Sequence, residues 1–187
     1  MGQLFDSIDA KLRTWIEAQP MWFVATAPLA ADGHVNMSPR GHDAFVVLGE
    51  RRVGWVDYTG SGVETIAHVR ENARVCLMFS SFGQRPRIVR LHGHGFVHLP
   101  GEPEFEEVVA LKPEHPSTRA VITVDVTRIS DSCGWGVPVM EMAGERDLIR
   151  QHAEKKGPDG LEEYRARKNA LSIDGLPGLP IGGSASS

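Results

Sequence analysis

Long apolar runs are missing from this sequence. None approaches the ~20 residues that a membrane-spanning helix needs, so no membrane partner is expected. A basic excess is missing as well. The formal net charge is −4 and the Lys and Arg residues are scattered, whereas a nucleic-acid-binding surface gathers them on one face. Bulk nucleic-acid binding is thereby excluded. Cysteine is scarce: Cys76 and Cys133 stand far apart, without the spacing of a metal site, and Cys76 lies in an apolar run that suits a small core residue. The start, Met1-Gly2-Gln3-Leu4-Phe5-Asp6, lacks the basic head and apolar middle of a secretory signal, which leads to the expectation of a cytoplasmic protein. The Gly-x-Gly-x-x-Gly fingerprint of dinucleotide folds is absent too, since Gly60-Ser61-Gly62 has no third glycine three residues on.

What is present describes one domain. With 187 residues, 41% of them apolar and 24% charged, the chain can bury a real core. Residues 4–18 carry apolar positions near one helical face, with Asp6 or Ser7 as a cap and Pro20 as the stop. Strands are expected at 21–27, 35–38, 44–48, 53–58, 74–79, 88–99 and 120–129. Asp32-Gly33 makes a hairpin between the first two, and Pro39 and Gly41 break or bulge the second. Helices are expected at 63–72 and 103–111. Six or seven strands at roughly ten-residue spacing, with short helices between them, argue for a small antiparallel barrel. After 130 come a loop with Cys133-Gly134-Trp135-Gly136, a charged helix near 144–156, a Gly-Pro-Asp-Gly break and a second charged helix near 160–170. The organisation read from this is a barrel over 1–130, a helical extension over 131–174 and a loose tail over 175–187 rich in Gly, Pro and Ser.

The chemistry concentrates in Trp55-Val56-Asp57-Tyr58-Thr59-Gly60-Ser61-Gly62-Val63-Glu64-Thr65. An apolar strand runs through a Tyr-Thr pair and a glycine-flanked serine into a helix. The first N–H groups of a helix lack partners and its dipole favours negative charge, so the place suits an anion such as phosphate. Ser61, Thr59 and Thr65 either donate to that phosphate or serve only as turn and cap residues. Arg40, after a strand in Ser38-Pro39-Arg40-Gly41, either clamps a phosphate with two parallel bonds or is a solvated turn residue. His92, His94 and His98 share one strand face, which a wet outer face explains better than a metal; no metal set is assigned. His42 beside Asp43 belongs to a loop near the cleft. The run 165–168 reads as a wet helix face, and Trp15, Trp22 and Trp55 as core or interface.

Met21 to Ala27, Asn36-Met37-Ser38-Pro39-Arg40-Gly41, Asp57-Tyr58-Thr59-Gly60-Ser61-Gly62, Glu71-Asn72-Ala73-Arg74-Val75-Cys76-Leu77-Met78-Phe79 and Leu91-His92-Gly93-His94-Gly95 occur in that order. In this the chain resembles the pyridoxamine 5′-phosphate oxidase-related, FMN-binding split-barrel family, over about residues 4–130, a single-domain length. The resemblance implies a mainly β (α+β) split barrel, and a homodimer with FMN or a related flavin in a cleft between subunits. It implies Ser38, Pro39, Arg40, Gly41, Tyr58, Thr59, Ser61, Thr65, Arg87 and Trp135 as cofactor-binding residues. Trp135 stacks near the ring or anchors the extension; no catalytic residue is identified. One departure matters. Gly62-Val63-Glu64-Thr65 carries an acid where the oxidase proper has basic residues. The phosphate grip must therefore be remade from Thr65, Ser61, backbone N–H groups and an arginine from elsewhere.

The function expected from the resemblance is an FMN-dependent oxidoreductase that moves electrons or hydride to or from a small-molecule substrate, the cofactor carrying the redox chemistry. The alternatives are a non-catalytic flavin- or haem-binding dimer, and a deazaflavin whose longer phosphate tail uses Arg85, Arg87 and Arg90.

Overall fold

The computed structural model describes residues 2–180. Its strands are β1 (Leu4–Phe5), β2 (Trp22–Thr26), β3 (Asn36–Arg40), β4 (Phe45–Gly49), β5 (Arg52–Tyr58), β6 (Arg74–Ser80), β7 (Ile88–His98) and β8 (Thr118–Ser132), all antiparallel to their neighbours. They form one 8-stranded sheet in the order β3-β2-β6-β7-β8-β5-β4, with β1 on β8. The path does not close; β3 and β4 are its two edges, so the barrel is split. Helices α1 (Ala10–Glu17), α2 (Glu64–Asn72), α3 (Pro103–Val109) and α4 (Leu148–Lys168) flank it. Among the described residues no helix is long and apolar enough to cross a membrane.

Alternation builds the interior. On β2, Trp22, Val24 and Thr26 point inward while Phe23 and Ala25 are half-covered. Trp22 meets the Phe45 and Trp55 rings with centroids 5.2 Å from each, which ties β2 to β4 and β5 across the core. Val24, Leu77, Leu91, Ile122 and Ile129 fill the space around them. A smaller cluster of Val46, Val56, Phe105, Val108 and Val121 lies under α3, and Ile149 of the extension packs on it. The driving force is removal of this apolar surface from water.

Several boundaries differ from the sequence expectation. Residues 4–5 are a strand paired with Ile129 and Ser130 of β8, and helix α1 begins only at Ala10. Its cap is Asp9, which accepts from the Leu12 N–H at 2.7 Å, and not Asp6 or Ser7. Strand β3 continues through Pro39 to Arg40, because an edge strand needs no N–H from proline on its open side. The expected break in the C-terminal helix is present: the chain leaves helical geometry at Gly157 (φ 66°, ψ 176°), before Pro158. Residues 175–180 are not loose. Arg70 donates to the Gly178 carbonyl at 2.6 Å, and Leu179 is buried in the main core. The part of the expected loose tail over 181–187 lies outside the described residues.

Asp174 in this docked segment accepts from the His34 backbone N–H at 2.9 Å and contacts His34 Nδ1 at 2.6 Å. That hydrogen bond first, and the Asp174 charge second, raise the His34 pKa above its ordinary 6.5. A raised histidine pKa gives a contact that is complete below 6.5 and fades as pH rises through the raised value. We therefore expect amide exchange over 172–179, corrected for its intrinsic base dependence, to quicken across that range, and His34→Ala to abolish the change. An unchanged profile would mean that the backbone bond alone holds the segment.

Candidate functional site

Strand β5 carries one acid, Asp57, in an otherwise apolar run, and the side chain is completely buried. A buried carboxylate needs charge partners, and two arginines supply them. Arg119 Nε donates to Asp57 Oδ2 at 2.7 Å, and Arg40 Nη1 lies 2.7 Å from Oδ1. A β-bulge makes the first contact possible: Asp57 pairs with Ala120 and Tyr58 with Thr118, which leaves Arg119 as the extra residue of β8. Bulges re-aim side chains in this way. Burial alone would raise the Asp57 pKa, but the charges of Arg40 and Arg119 outweigh it and hold the carboxyl below its ordinary value.

Arg119 also donates to the Gly62 carbonyl at 2.9 Å. The loop 60–62 is held from the other side by α4. Arg165 donates from Nε to the Thr59 hydroxyl and from Nη2 to the Thr118 carbonyl, both at 2.9 Å, and Asn169 donates to the Gly60 carbonyl at 3.0 Å. Arg165 is thus no wet-face residue; burial and the nearby Arg119 lower its pKa. Since Asp57 is one carboxylate for Arg40 and Arg119 together, that pair keeps one uncompensated positive charge. Arg40 Nε is buried and has no hydrogen-bond partner among the described residues.

Of these residues, Arg40, Gly60, Gly62 and Arg119 line a cleft of about 830 Å³, within the ~300–1,000 Å³ range of small-molecule sites. Ser38, Pro39, Arg40 and Gly41 of the β3 end line it, with Tyr58, Gly60, Gly62, Glu64, Thr65 and Arg119. The extension supplies a wall through Met140, Met142, Glu145 and Ile149, fastened where the Met140 N–H donates to the Phe82 carbonyl at 2.9 Å. His42 and Asp43 leave the β3 end in left-handed backbone (φ 62° and 49°), and His42 faces the cleft beside Glu145. Behind the cleft, Asn36 donates to Thr65 and Thr26, and Ser38 donates to Asn36, so Thr65 and Ser38 are held by a shared polar network.

Of the residues singled out from sequence, Ser38, Pro39, Arg40, Gly41, Tyr58 and Thr65 meet at this cleft. Four are not among its lining residues. Thr59 is buried, its hydroxyl donating to Ser117 and accepting from Arg165. Ser61 is exposed on the outside of its turn. Arg87 pairs with Asp131 at 3.0 Å and lies over the Phe5 and Trp15 rings. Trp135 is 83% exposed. Arg90, the other arginine of that region, donates to Ser132. Sequence reasoning missed Arg119, Arg165, Asn169 and the methionine wall. Among the described residues no group of three His, Cys, Asp or Glu side chains is placed to hold a metal.

Glu64 opens α2, and its carboxylate crowds Gly62, where a Cβ would run into it, while it accepts from the Ile173 N–H at 3.3 Å. The α2 N-terminus is therefore shared with an anion of the chain's own, and the free positive charge lies with Arg40.

A family profile for pyridoxamine 5′-phosphate oxidase matches residues 8–133. The pyridoxamine 5′-phosphate oxidase family protein ustO of Aspergillus flavus is 38% identical over 196 aligned positions, covering 96% of this chain and 78% of its own. Among solved structures, HupZ of Group A Streptococcus is similar with a TM-score of 0.52 and 20% identity, over 65% of this chain and 91% of that one. A Lactobacillus delbrueckii protein provisionally named a pyridoxamine 5′-phosphate oxidase gives a TM-score of 0.53 and 17% identity, over 68% and 98%.

Proposed function

The chain belongs to the pyridoxamine 5′-phosphate oxidase family, and from that membership we propose that its cleft binds a phosphorylated flavin, FMN in the first instance, as the redox group of a small oxidoreductase. The observation that carries this reading is the guanidinium excess: two arginines that line the cleft share the single carboxylate of Asp57, and the buried Arg40 Nε has no partner among the described residues. A phosphate fits that deficit of negative charge. Arg40, Thr65 and the loop 60–62 hold the phosphate, while Ser38, Pro39, Gly41 and Tyr58 flank the ring system. The bound flavin supplies hydride or electron transfer to or from a small molecule; the chain binds it, orients it and excludes water. Barrel and extension act as one unit, because the loop 60–62 takes its restraint from α4.

A homodimer completes this reading. Trp135, Val139, Met140 and Met142 leave an exposed apolar margin along the extension, of the kind a second copy covers. Trp135 then serves the partner's cleft and not its own.

Titration of the purified protein with FMN, followed by quenching of flavin fluorescence, tests the proposal. Saturation at one flavin per chain is expected, and absence of binding sinks it. Anaerobic bleaching of the bound flavin by a reduced nicotinamide separates an enzyme from a carrier. Removing the competing charge with Glu64→Gln is expected to tighten FMN roughly twofold to fivefold, the range for a charge at a helix N-terminus. Weaker binding in that variant would assign Glu64 a supporting role.

A further inference from the structure

The cleft lining divides by chemistry. Arg40, Arg119, Thr65 and the glycine loop are its polar members; Val56, Met140, Met142 and Ile149 are its apolar ones, and Tyr58 belongs with Val56 and Ile149 in one apolar cluster. Tyr58 is only 8% exposed, but its hydroxyl is not among the buried polar atoms left without a partner: it opens to the cleft and makes no hydrogen bond among the described residues. Its ring packs against His115 at a tilt of 33°, centroids 4.3 Å apart, and His115 is fixed in turn because its Nδ1 accepts from the Ser117 N–H at 3.1 Å. The hydroxyl is therefore a positioned group awaiting a ligand atom. Burial first, and then the Asp43 charge, raise its pKa, so it stays protonated and is a donor.

The surroundings bear on the ligand's charge. The extension lines this part of the cleft with Glu141, Glu145 and Arg146, and Asp43 nearby is paired with Lys112 at 2.8 Å. No excess of positive charge is left there for an anionic guest, and the apolar lining favours a neutral one. Methionine side chains make an adaptable apolar wall.

We propose that the apolar part of the cleft is a second binding site, for a neutral, flat carbonyl compound whose oxygen accepts a hydrogen bond from Tyr58 and whose frame lies against Val56 and the Met140–Met142 wall. It rests on the flavin reading in one respect only: the occupant is then the substrate, and Tyr58 fixes which of its atoms face the ring. The site itself requires no flavin.

Calorimetric binding of acetylnaphthalene and of ethylnaphthalene, with and without saturating FMN, provides the test. The two probes share shape and differ in the acceptor oxygen. The wild type is expected to prefer the ketone by roughly threefold to tenfold, the worth of one neutral hydrogen bond, and to lower the infrared carbonyl stretch of the bound ketone. Tyr58→Phe is expected to erase both the preference and the shift, whereas Met142→Ala weakens both probes alike. A ketone preference that survives in Tyr58→Phe, or a bound ketone with an unshifted carbonyl in the wild type, overturns the proposal. The second measurement needs no variant, so a poorly folding Tyr58→Phe protein does not spare it. Ketone preference without any FMN binding would overturn the flavin reading and leave this one standing.

Discussion

Replacing Asp57 with Asn is expected to destabilise the folded protein by about 3–5 kcal/mol, the usual consequence of removing one partner from a buried ion pair. The side chain is completely buried, and it is the shared counter-charge of Arg40 and Arg119. Asparagine keeps the shape and leaves those guanidiniums without a counter-charge in a poorly solvated place. Urea unfolding, with the same denaturant slope in both proteins, measures the loss. The pH dependence adds a second signature. A carboxyl held below its ordinary 3.8 contributes stability that is complete above that value and is lost as pH falls through the depressed one. The wild type should therefore lose more stability than Asp57→Asn as pH drops below about 4. Equal stability of the two proteins at neutral pH would show that the arginines find another anion, and the argument for a charge-deficient cleft would fall with it.

Arg40→Met is expected to weaken FMN binding roughly tenfold to 150-fold while leaving riboflavin binding unchanged. The size follows from losing one charge-assisted contact of about 1.5–3 kcal/mol. The control follows from chemistry, since riboflavin has the ring without the phosphate. Asp57 retains Arg119 at 2.7 Å in this variant, so the fold keeps its buried pair. Fluorescence titration at two salt concentrations gives a further check, because an ionic contact to phosphate is screened by salt and a ring contact is not. Equal weakening of FMN and riboflavin would move Arg40 to the ring; no weakening of either would put the phosphate elsewhere.

How far the sequence reveals this molecule depends on the range of each interaction. The strands were legible because alternation is local: Trp22, Val24 and Thr26 declare their face within five residues. Residues 4–5 were not, since Leu4 and Phe5 fit a helical period and are drawn into strand by Ser130 and Ile129, at the far end of the barrel. At the cleft, the order of motifs brought out Ser38 to Gly41, Tyr58 and Thr65. Asp57 gave a signal of its own, a lone acid in an apolar strand, but its partner Arg119 lies 62 positions away and is aimed by a bulge that no local pattern announces. Arg165 resembled its neighbours Arg167 and Lys168. Its spacing of four from Asn169, which puts both on one helix face, was the clue available. Ser61 was drawn to the site by the motif order and Trp135 by its place between glycines in the loop after the barrel, and neither side chain lines it in one chain.

The clamp that α4 places on the glycine loop has a consequence for the birth of the molecule. Arg165 grips Thr59 across 106 positions and Asn169 grips Gly60 across 109. Strand pairs such as β6 with β7 join nearby stretches and can form early in synthesis, whereas this grip must wait for the helix to emerge, and closing so long a loop is entropically unfavourable. On the ribosome, the barrel therefore takes shape before its glycine loop is locked, and the nascent chain passes through an interval in which the strands are paired and that loop is still unheld.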